Sequence, residues 1–418
     1  MSVVDILDIV IGFLSVIISV LLLSNVIYPI FSVFSCKRKR YVEPTKLHKY
    51  AVMICARNEE LVIGYLIDSV KEQDYPESLV DIYVLADNCT DGTAFEAKSH
   101  GATVFVRSDV EKIGKGYALD YLYSSILAEA GDIYDGYFVF DADNLLLPNY
   151  ISEMNRCFNG DSVLTSIRNT KNFDDSWISS GYAIGWLFQT SLLNVGRATV
   201  NIPCFVSGTG FLVGANVLRK MGGWDFHTLT EDCEFTVFCA LNGIQIDVCT
   251  SAEFFDEQPS SFKISWKQRL RWAKGKYQVF AKYWLSVLKK IFSKDIMIGY
   301  DALTNIVPTN LMILLSCVLT FIRMVVTSDS FDLLFVSVLA GIGRAYLSVF
   351  CFGIITLVLN WDKIHSRNLI KILSVFTYPL YVFIYIPIFV VALFKPVKWV
   401  PVQHTVGKTV VEICDNDR

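Results

Sequence analysis

Charged residues are scarce in this sequence, and their scarcity excludes several classes of protein. They make up 19% of the 418 residues, whereas an average soluble domain carries about 25%. Hydrophobic residues make up 53%, which excludes a disordered chain, a collagen-like chain and a lone soluble domain. The balance of 37 Lys and Arg against 41 Asp and Glu leaves a net charge of −4, which argues against a nucleic-acid-binding protein.

The cysteines also lack the spacing that is typical of a zinc site. None of the 11 cysteines stands in a Cys-x-x-Cys arrangement, the usual mark of a structural zinc site. The cysteines are therefore predicted to be reduced and to pack as small apolar residues.

Long apolar runs are present, and they predict a multi-pass cell-membrane protein. The first run, residues 9–34, contains no charged residue and is long enough to cross a bilayer. The basic cluster at 36–40 follows it, and the positive-inside rule then puts the portion after it in the cytoplasm. Three more runs lie at about 297–323, 333–359 and 369–394.

The membrane topology is left open at the C-terminus. Four full spans with an external N-terminus would leave the tail outside, but Lys395, Lys398 and Lys408 favour a cytoplasmic tail. Either the tail is external, or one C-terminal segment does not fully cross, and Asn305 and Pro308 mark 297–323 as the candidate. The predicted organisation is an N-terminal span with its basic flank (1–40), a cytoplasmic domain (41–257), interfacial amphipathic helices (258–295), about three C-terminal transmembrane helices (296–395) and a tail (396–418).

The cytoplasmic portion alternates between strand-like and helix-like patterns. Short β-branched runs at 50–55, 82–86, 102–106 and 137–140 are separated by helical patterns at 61–71, 93–99 and 116–130. This alternation predicts an α/β domain with a parallel sheet and helices on both faces. Ligands of such sheets bind at the carboxyl ends of the strands.

Acidic residues follow three of these predicted strands. Glu59 comes after the first strand, Asp87 after the second, and Asp141-Ala142-Asp143 after the fourth. An Asp-x-Asp at such a position can hold Mg²⁺ or Mn²⁺ with substrate phosphates completing the coordination shell. The pattern predicts a nucleotide site at this edge of the sheet.

Two further motifs lie beyond the predicted sheet. Thr230-Glu231-Asp232 offers Asp232 as a general base. Gln268-x-x-Arg271-Trp272 offers Arg271 for a diphosphate and Trp272 for the face of a sugar.

This ordered set of motifs, between membrane segments, resembles the membrane-integrated family 2 glycosyltransferases, which include cellulose, hyaluronan and poly-N-acetylglucosamine synthases. The resemblance implies a GT-A-like nucleotide-sugar-binding domain with a mixed sheet, and inverting sugar transfer. It also implies the roles of the site residues: Glu59, Asp87, Lys115, Asp141, Gln268 and Arg271 for the donor, Asp143 with Asp141 for Mg²⁺ or Mn²⁺, Asp232 as the base, and Glu231 and Trp272 for the acceptor.

The leading hypothesis is a processive enzyme that builds a β-linked surface polysaccharide from UDP-glucose or UDP-N-acetylglucosamine. The alternative is transfer of one sugar to a membrane lipid, and a third hypothesis is a catalytically inactive membrane subunit. Asp301 and Arg344 are ionisable residues inside apolar runs. Because such residues usually face a partner or a water-filled path, Arg344 is predicted to line an export path above Trp272.

Overall fold

One eight-stranded sheet organises the part of the chain between the membrane helices. The computed structural model describes residues 2–34, 46–327 and 331–414, so the basic cluster at 36–40 lies outside the described residues. The strands, in chain order, are β1 Tyr50–Ala56, β2 Val80–Asp87, β3 Thr103–Arg107, β4 Gly136–Asp141, β5 Leu145–Leu146, β6 Val163–Thr170, β7 Phe211–Gly214 and β8 Ile246–Asp256.

The sheet is mixed, with strand order β3-β2-β1-β4-β7-β6-β8-β5. Strands β3, β2, β1 and β4 are parallel, as the sequence pattern predicts. β7 then pairs antiparallel with both β4 and β6, β8 pairs parallel with β6, and β5 closes the edge antiparallel to β8. The alternating pattern alone predicts a wholly parallel sheet. The mixed sheet implied by the family resemblance is the one observed.

Helices cover both faces of the sheet and extend beyond it at both ends of the chain. The N-terminal pair is α1 Val3–Leu22 and α2 Ser24–Phe34. The helices of the sheet region are α3 Ile63–Lys71, α4 Thr93–Ser99, α5 Lys115–Ala130, α6 Tyr150–Cys157, α7 Trp177–Leu187, α8 Val195–Thr199, α9 Ala215–Met221 and α10 Glu231–Asn242. The C-terminal helices are α11 Phe262–Ile291, α12 Ile296–Ile306, α13 Thr309–Thr327, α14 Phe331–Leu359, α15 Asn368–Phe383, α16 Tyr385–Phe394 and α17 Val410–Cys414.

Strand β1 shows why the centre of the sheet is stable. Successive side chains of a strand point to opposite faces. Tyr50, Val52 and Ile54 accordingly enter the core cluster that includes residues of α3 and α6, while Ala51 and Met53 enter the cluster that includes residues of α5. All five are almost completely buried, so the strand is covered on both faces.

Four segments are long and apolar enough to cross a membrane: Val3–Phe34, Thr309–Thr327, Asp332–Leu359 and Asn368–Phe394. Large apolar side chains along them are exposed in the isolated chain, as expected for surfaces that lipid covers. Val3–Phe34 is interrupted near Leu23, and Pro29 lies inside its second helix.

The apolar run predicted at 297–323 is two helices rather than one. Helix α12 ends at Ile306, Pro308 separates it from α13, and only α13 belongs to a candidate span. Asp301 therefore lies in α12, where its carboxylate accepts a hydrogen bond from Nε of Arg197 at 2.9 Å. Both side chains are buried, with 5% and 3% exposed. Arg344 lies on an exposed face of α14 and is not among the residues that line the main cavity described below.

We expect the buried Arg197–Asp301 pair to hold α12 against α8. Asp301→Ala leaves the guanidinium buried without its carboxylate, which should lower the free energy of unfolding by about 3–5 kcal/mol. The thermal unfolding midpoint of the purified protein in detergent should fall by several degrees. Asp295→Ala is the control, because Asp295 pairs with Lys290 at the surface and its loss should leave the midpoint unchanged. Equal midpoints for both variants would contradict this assignment.

Candidate active site

The carboxyl ends of β1, β2 and β4 open into one cavity of about 560 Å³. Parallel strands end at the same edge of a sheet, so residues far apart in sequence meet there. The cavity continues past the sheet to α11, α12 and α13. Every side chain predicted for the site from the sequence lines it: Glu59, Asp87, Lys115, Asp141, Asp143, Glu231, Asp232, Gln268, Arg271 and Trp272.

Asp87 is held rigidly at the end of β2. Its carboxylate accepts hydrogen bonds from Nε of Arg107 at 2.7 Å and from the side-chain amide of Asn88 at 3.0 Å. Arg107 ends the neighbouring strand β3, and the side chains of this ion pair are only 7–8% exposed. The sequence patterns do not predict this arginine, because its role depends on strand pairing.

The two carboxylates of the Asp-x-Asp motif have different surroundings. Asp141 forms an ion pair with Lys115, whose ammonium also donates to the carbonyl oxygen of Gly208 at 2.6 Å. Asp143 accepts a hydrogen bond from the backbone N–H of Glu257 at 2.7 Å. Burial opposes ionisation of Asp143, but the charge of His404, nearby lysine and arginine charges and the Glu257 N–H outweigh it and lower the pKa of its carboxyl. Asp143 is therefore ionised at neutral pH.

Asp232 stands in the first turn of α10, beside the loop that contains Gly208. One carboxylate oxygen accepts the backbone N–H of Cys233 at 2.8 Å. A Cβ at Gly208 would lie 3.1 Å from the other oxygen, and the φ of +82° there also favours glycine. Burial raises the pKa of Asp232. Burial and the adjacent charge of Asp232 together raise the pKa of Glu231 to about 7.

The Gln-x-x-Arg-Trp residues share one face of α11, since positions three and four apart on a helix are neighbours. Arg271 donates to the carbonyl oxygen of Leu229 at 3.2 Å. The ring of Trp272 packs edge-to-face against Trp186, with centroids 5.7 Å apart. The side-chain oxygen of Gln268 is buried and has no hydrogen-bond partner among the described residues.

Arg168 and Asp256 join the site from strands that the sequence patterns do not predict. They come from the last residues of β6 and β8, and Nε of Arg168 donates to Asp256 at 2.7 Å. The guanidinium of Arg168 also lies 3.9 Å from the ring centroid of Trp186, and it donates to the carbonyl oxygen of Ser207 at 2.8 Å. This pair connects the sheet edge to the aromatic wall of the cavity.

The chain after α16 returns to the same cavity, although the sequence predicts only a tail there. Nδ1 of His404 lies 3.0 Å from both carboxylate oxygens of Glu59. The ring of Trp399 lies 5.4 Å from the guanidinium of Arg57. The backbone N–H of residue 406 donates to the Glu257 carboxylate at 2.9 Å. The site is thus completed by residues more than 100 positions beyond α11.

Residues 48–275 match the family described as Glycosyltransferase like family 2. The chain belongs to this family. The resemblance inferred from the ordered motifs is therefore confirmed.

The curated relatives act on different acceptors. The probable glycosyltransferase YdaM of Bacillus subtilis and the Beta-monoglucosyldiacylglycerol synthase of Synechocystis are each 27% identical, over 259 and 248 residues. These matches cover 57% and 56% of this chain, and 57% and 49% of the relatives, so the chain spans about half the length of the curated relatives it matches. Poly-beta-1,6-N-acetyl-D-glucosamine synthase of Staphylococcus epidermidis is 25% identical over 299 residues, which cover 69% of this chain and 68% of that protein.

A solved structure shares the fold. The mannosyltransferase PcManGT from Pyrobaculum calidifontis, in complex with GDP-Man and Mn²⁺, aligns with a TM-score of 0.61 and 15% identity. The alignment covers 93% of this chain and 99% of that chain. The fold is GT-A-like, with a mixed sheet and apolar helices, as the resemblance implied.

The raised pKa values of Asp232 and Glu231 predict a pH dependence. Proton transfer to a carboxylate requires the ionised form, so burial, which raises the pKa of Asp232, should move the acidic limb of the pH–rate profile above the pH expected for an exposed aspartate. Glu231→Gln removes a like charge beside Asp232, which lowers the pKa of Asp232 and moves the acidic limb of the pH–rate profile to lower pH. An unmoved limb in this variant would contradict the coupling.

Proposed function

We propose that this enzyme is an inverting membrane glycosyltransferase that transfers a sugar from a UDP-sugar to a growing β-linked polysaccharide. UDP-glucose and UDP-N-acetylglucosamine are the leading donors. One observation carries the proposal: a single cavity joins the Asp-x-Asp motif and Asp232 to a polar end near the membrane helices. The polar residues at that end are Asn25, Thr304, Asn305, Thr309 and Asn310.

A chain of sugars needs such a lining. Each sugar carries several hydroxyl groups, and a polar group that loses water without gaining a hydrogen bond is costly. Amide and hydroxyl side chains can replace that water. The aromatic pair Trp186 and Trp272 supplies flat apolar faces near the catalytic carboxylates, which suit the C–H faces of a sugar ring.

The catalytic domain is proposed to lie in the cytoplasm, beneath a multi-pass membrane region. The basic cluster at 36–40 supports this side. Both ends of the last apolar segment, Asn368–Phe394, lead into contacts with the sheet domain: Lys363 forms an ion pair with Glu253 at 2.6 Å, and His404 contacts Glu59. We therefore assign Asn368–Phe394 to the cytoplasmic face of the membrane as the segment that does not cross, instead of 297–323.

The residues at the sheet edge fit a divalent cation. Mg²⁺ and Mn²⁺ are held by one or two carboxylates while substrate phosphates complete the coordination shell. Asp143 is buried and ionised, Asp141 lies beside it, and Oδ1 of Asp256 is buried with no hydrogen-bond partner among the described residues. The PcManGT structure is in complex with Mn²⁺, which supports the same assignment here. A cation held by Asp143 and Asp141 would neutralise charge on the donor diphosphate.

The reaction uses the protein side chains as follows. Asp232 accepts the proton of the acceptor hydroxyl, which then attacks the anomeric carbon of the donor. The bond to the diphosphate breaks on the opposite face, so an α-linked donor yields a β-linked product. Arg271 stabilises the negative charge that develops on the departing diphosphate. Asp87 and Glu59 orient the nucleoside.

The alternative acceptor is a membrane lipid. The Beta-monoglucosyldiacylglycerol synthase of Synechocystis, 27% identical to this chain over 248 residues, favours it. The same catalytic groups serve either acceptor, because both present a hydroxyl. The size of the product separates the two functions.

The proposed function predicts a polymeric product that depends on Asp232. Incubation of the purified protein with a panel of UDP-sugars should release UDP and produce a polysaccharide, measured by chromatographic sizing. Asp232→Asn keeps the shape of the side chain and removes the base, so transfer should fall by at least ~10²-fold while UDP binding persists. If the product were instead a lipid that carries one sugar, the alternative function would hold. Loss of UDP binding would instead place Asp232 in the donor site.

The proposed cation site predicts a second effect. Asp143→Asn should weaken Mn²⁺ binding in the presence of UDP by at least tenfold, on the order of the loss of one charged ligand, as measured by electron paramagnetic resonance. Sugar transfer should fall with it. Asp109→Asn is the control, because Asp109 is a partly exposed acid outside the main cavity. Full activity of the wild-type enzyme in excess chelator would overturn the cation site.

A further inference from the structure

Lys276 differs from the other cations that line the cavity. Its side chain lies in the wall one helical turn beyond Trp272 on α11. Among the described residues, no hydrogen bond, ion pair or ring contact is made by its ammonium group. Every other Lys or Arg of the lining has a partner: Asp141 for Lys115, Asp256 for Arg168, Asp301 for Arg197, the Trp399 ring for Arg57 and the Leu229 carbonyl for Arg271.

The position of Lys276 is on the membrane side of the catalytic carboxylates. The preceding residue, Gly275, packs so tightly on Thr230 that a Cβ there would lie 2.5 Å from the threonine hydroxyl. The next turn of α11 carries Val279, which packs in one cluster with Ala302 and Ile306 of α12. Lys276 therefore lies between Trp272 and α12, on the acceptor side of the cavity.

Lys276 is half-buried, so its ammonium loses part of its hydration without gaining a counter-charge among the described residues. A charge removed from water needs a counter-charge or hydrogen bonds in compensation. Burial lowers the pKa of Lys276, and only the Cys233 thiol opposes that shift. The hydroxyl of Thr230, next to Gly275, is likewise buried without a partner among the described residues. The half-buried ammonium and the buried hydroxyl are both available to a polar ligand on this stretch of wall.

We propose that Lys276 binds a negative charge on the acceptor, so that this enzyme glycosylates a hydroxyl-bearing acceptor that also carries a phosphate or carboxylate. The inference rests on the proposed function and names the substrate class of the same site. The charge has two possible sources: the phosphodiester of a lipid headgroup or the carboxylate of an acidic sugar. Lys115 pairs with Asp141 and Arg271 donates to the Leu229 carbonyl, which leaves Lys276 for the acceptor.

Matched acceptor pairs test the proposal. Full-length protein in phosphatidylcholine vesicles is supplied with a UDP-sugar and one acceptor. Phosphatidylglycerol is compared with diacylglycerol, and a glucuronate-terminated oligosaccharide with a glucose-terminated one. The wild type should show a kcat/KM about tenfold higher for the anionic member of a pair, on the order of one charge-assisted hydrogen bond. The preferred pair identifies the source of the charge.

Variants of Lys276 complete the test. Lys276→Gln should abolish the preference by raising the acceptor KM, and it should leave the donor KM within about twofold of the wild type. Lys276→Arg should retain most of the preference. Lys274→Gln is the control, since Lys274 is on the same helix, donates to the Ala392 carbonyl and does not line the cavity. Equal use of neutral and anionic acceptors by the wild type would overturn the inference while the proposed function stands.

Two other results are decisive. A raised donor KM in Lys276→Gln, with acceptor preference unchanged, would make Lys276 a ligand of the donor diphosphate and overturn the inference. An absence of transfer from any UDP-sugar to any acceptor would overturn the proposed function, and the inference with it.

Discussion

Mutual repulsion among carboxylates at one edge of the sheet is the constraint on which the rest of this structure depends. Asp87, Asp141, Asp143 and Asp256 all stand at or just beyond the ends of strands. Buried like charges are unfavourable unless each is compensated. Arg107, Lys115 and Arg168 compensate Asp87, Asp141 and Asp256, and the charge of His404 compensates Asp143. Arg107 and Arg168 come from neighbouring strands, and Lys115 is the first residue of α5. The packing of these elements therefore also sets the electrostatics of the site.

The sequence predicts the parallel half of the sheet well, for a physical reason. Strands β1 and β4 are buried on both faces, so their apolar runs are continuous, and the helices between the parallel strands begin and end within a few residues of the predicted positions. The local sequence patterns do not predict the other half of the sheet. β7 is only four residues long and is inserted antiparallel between β4 and β6, which places it by long-range pairing rather than by a local pattern.

The same distinction applies to the site. All ten predicted side chains meet in one cavity, because the motifs carry chemistry that is recognisable one residue at a time. Arg168 and Asp256 are 88 residues apart, and His404 and Glu59 are 345 apart, so their partnerships exist only in the folded chain. Asp301 is a similar case: an acid inside an apolar run suggests a membrane path, but its partner Arg197 is 104 residues away and makes it a packing residue.

The segment after α16 limits where the chain can be cut into separate fragments. Its His404 contacts Glu59, and Ile413 of α17 is buried against Leu145 and Phe255 of the sheet domain. The sheet domain is thus discontinuous in sequence, because its last segment follows the apolar helices. An excised fragment limited to residues 48–275 would expose the surface beneath α17 and leave the carboxylate of Glu59 without its imidazole. The sheet domain therefore cannot be separated from the apolar helices by a single cut.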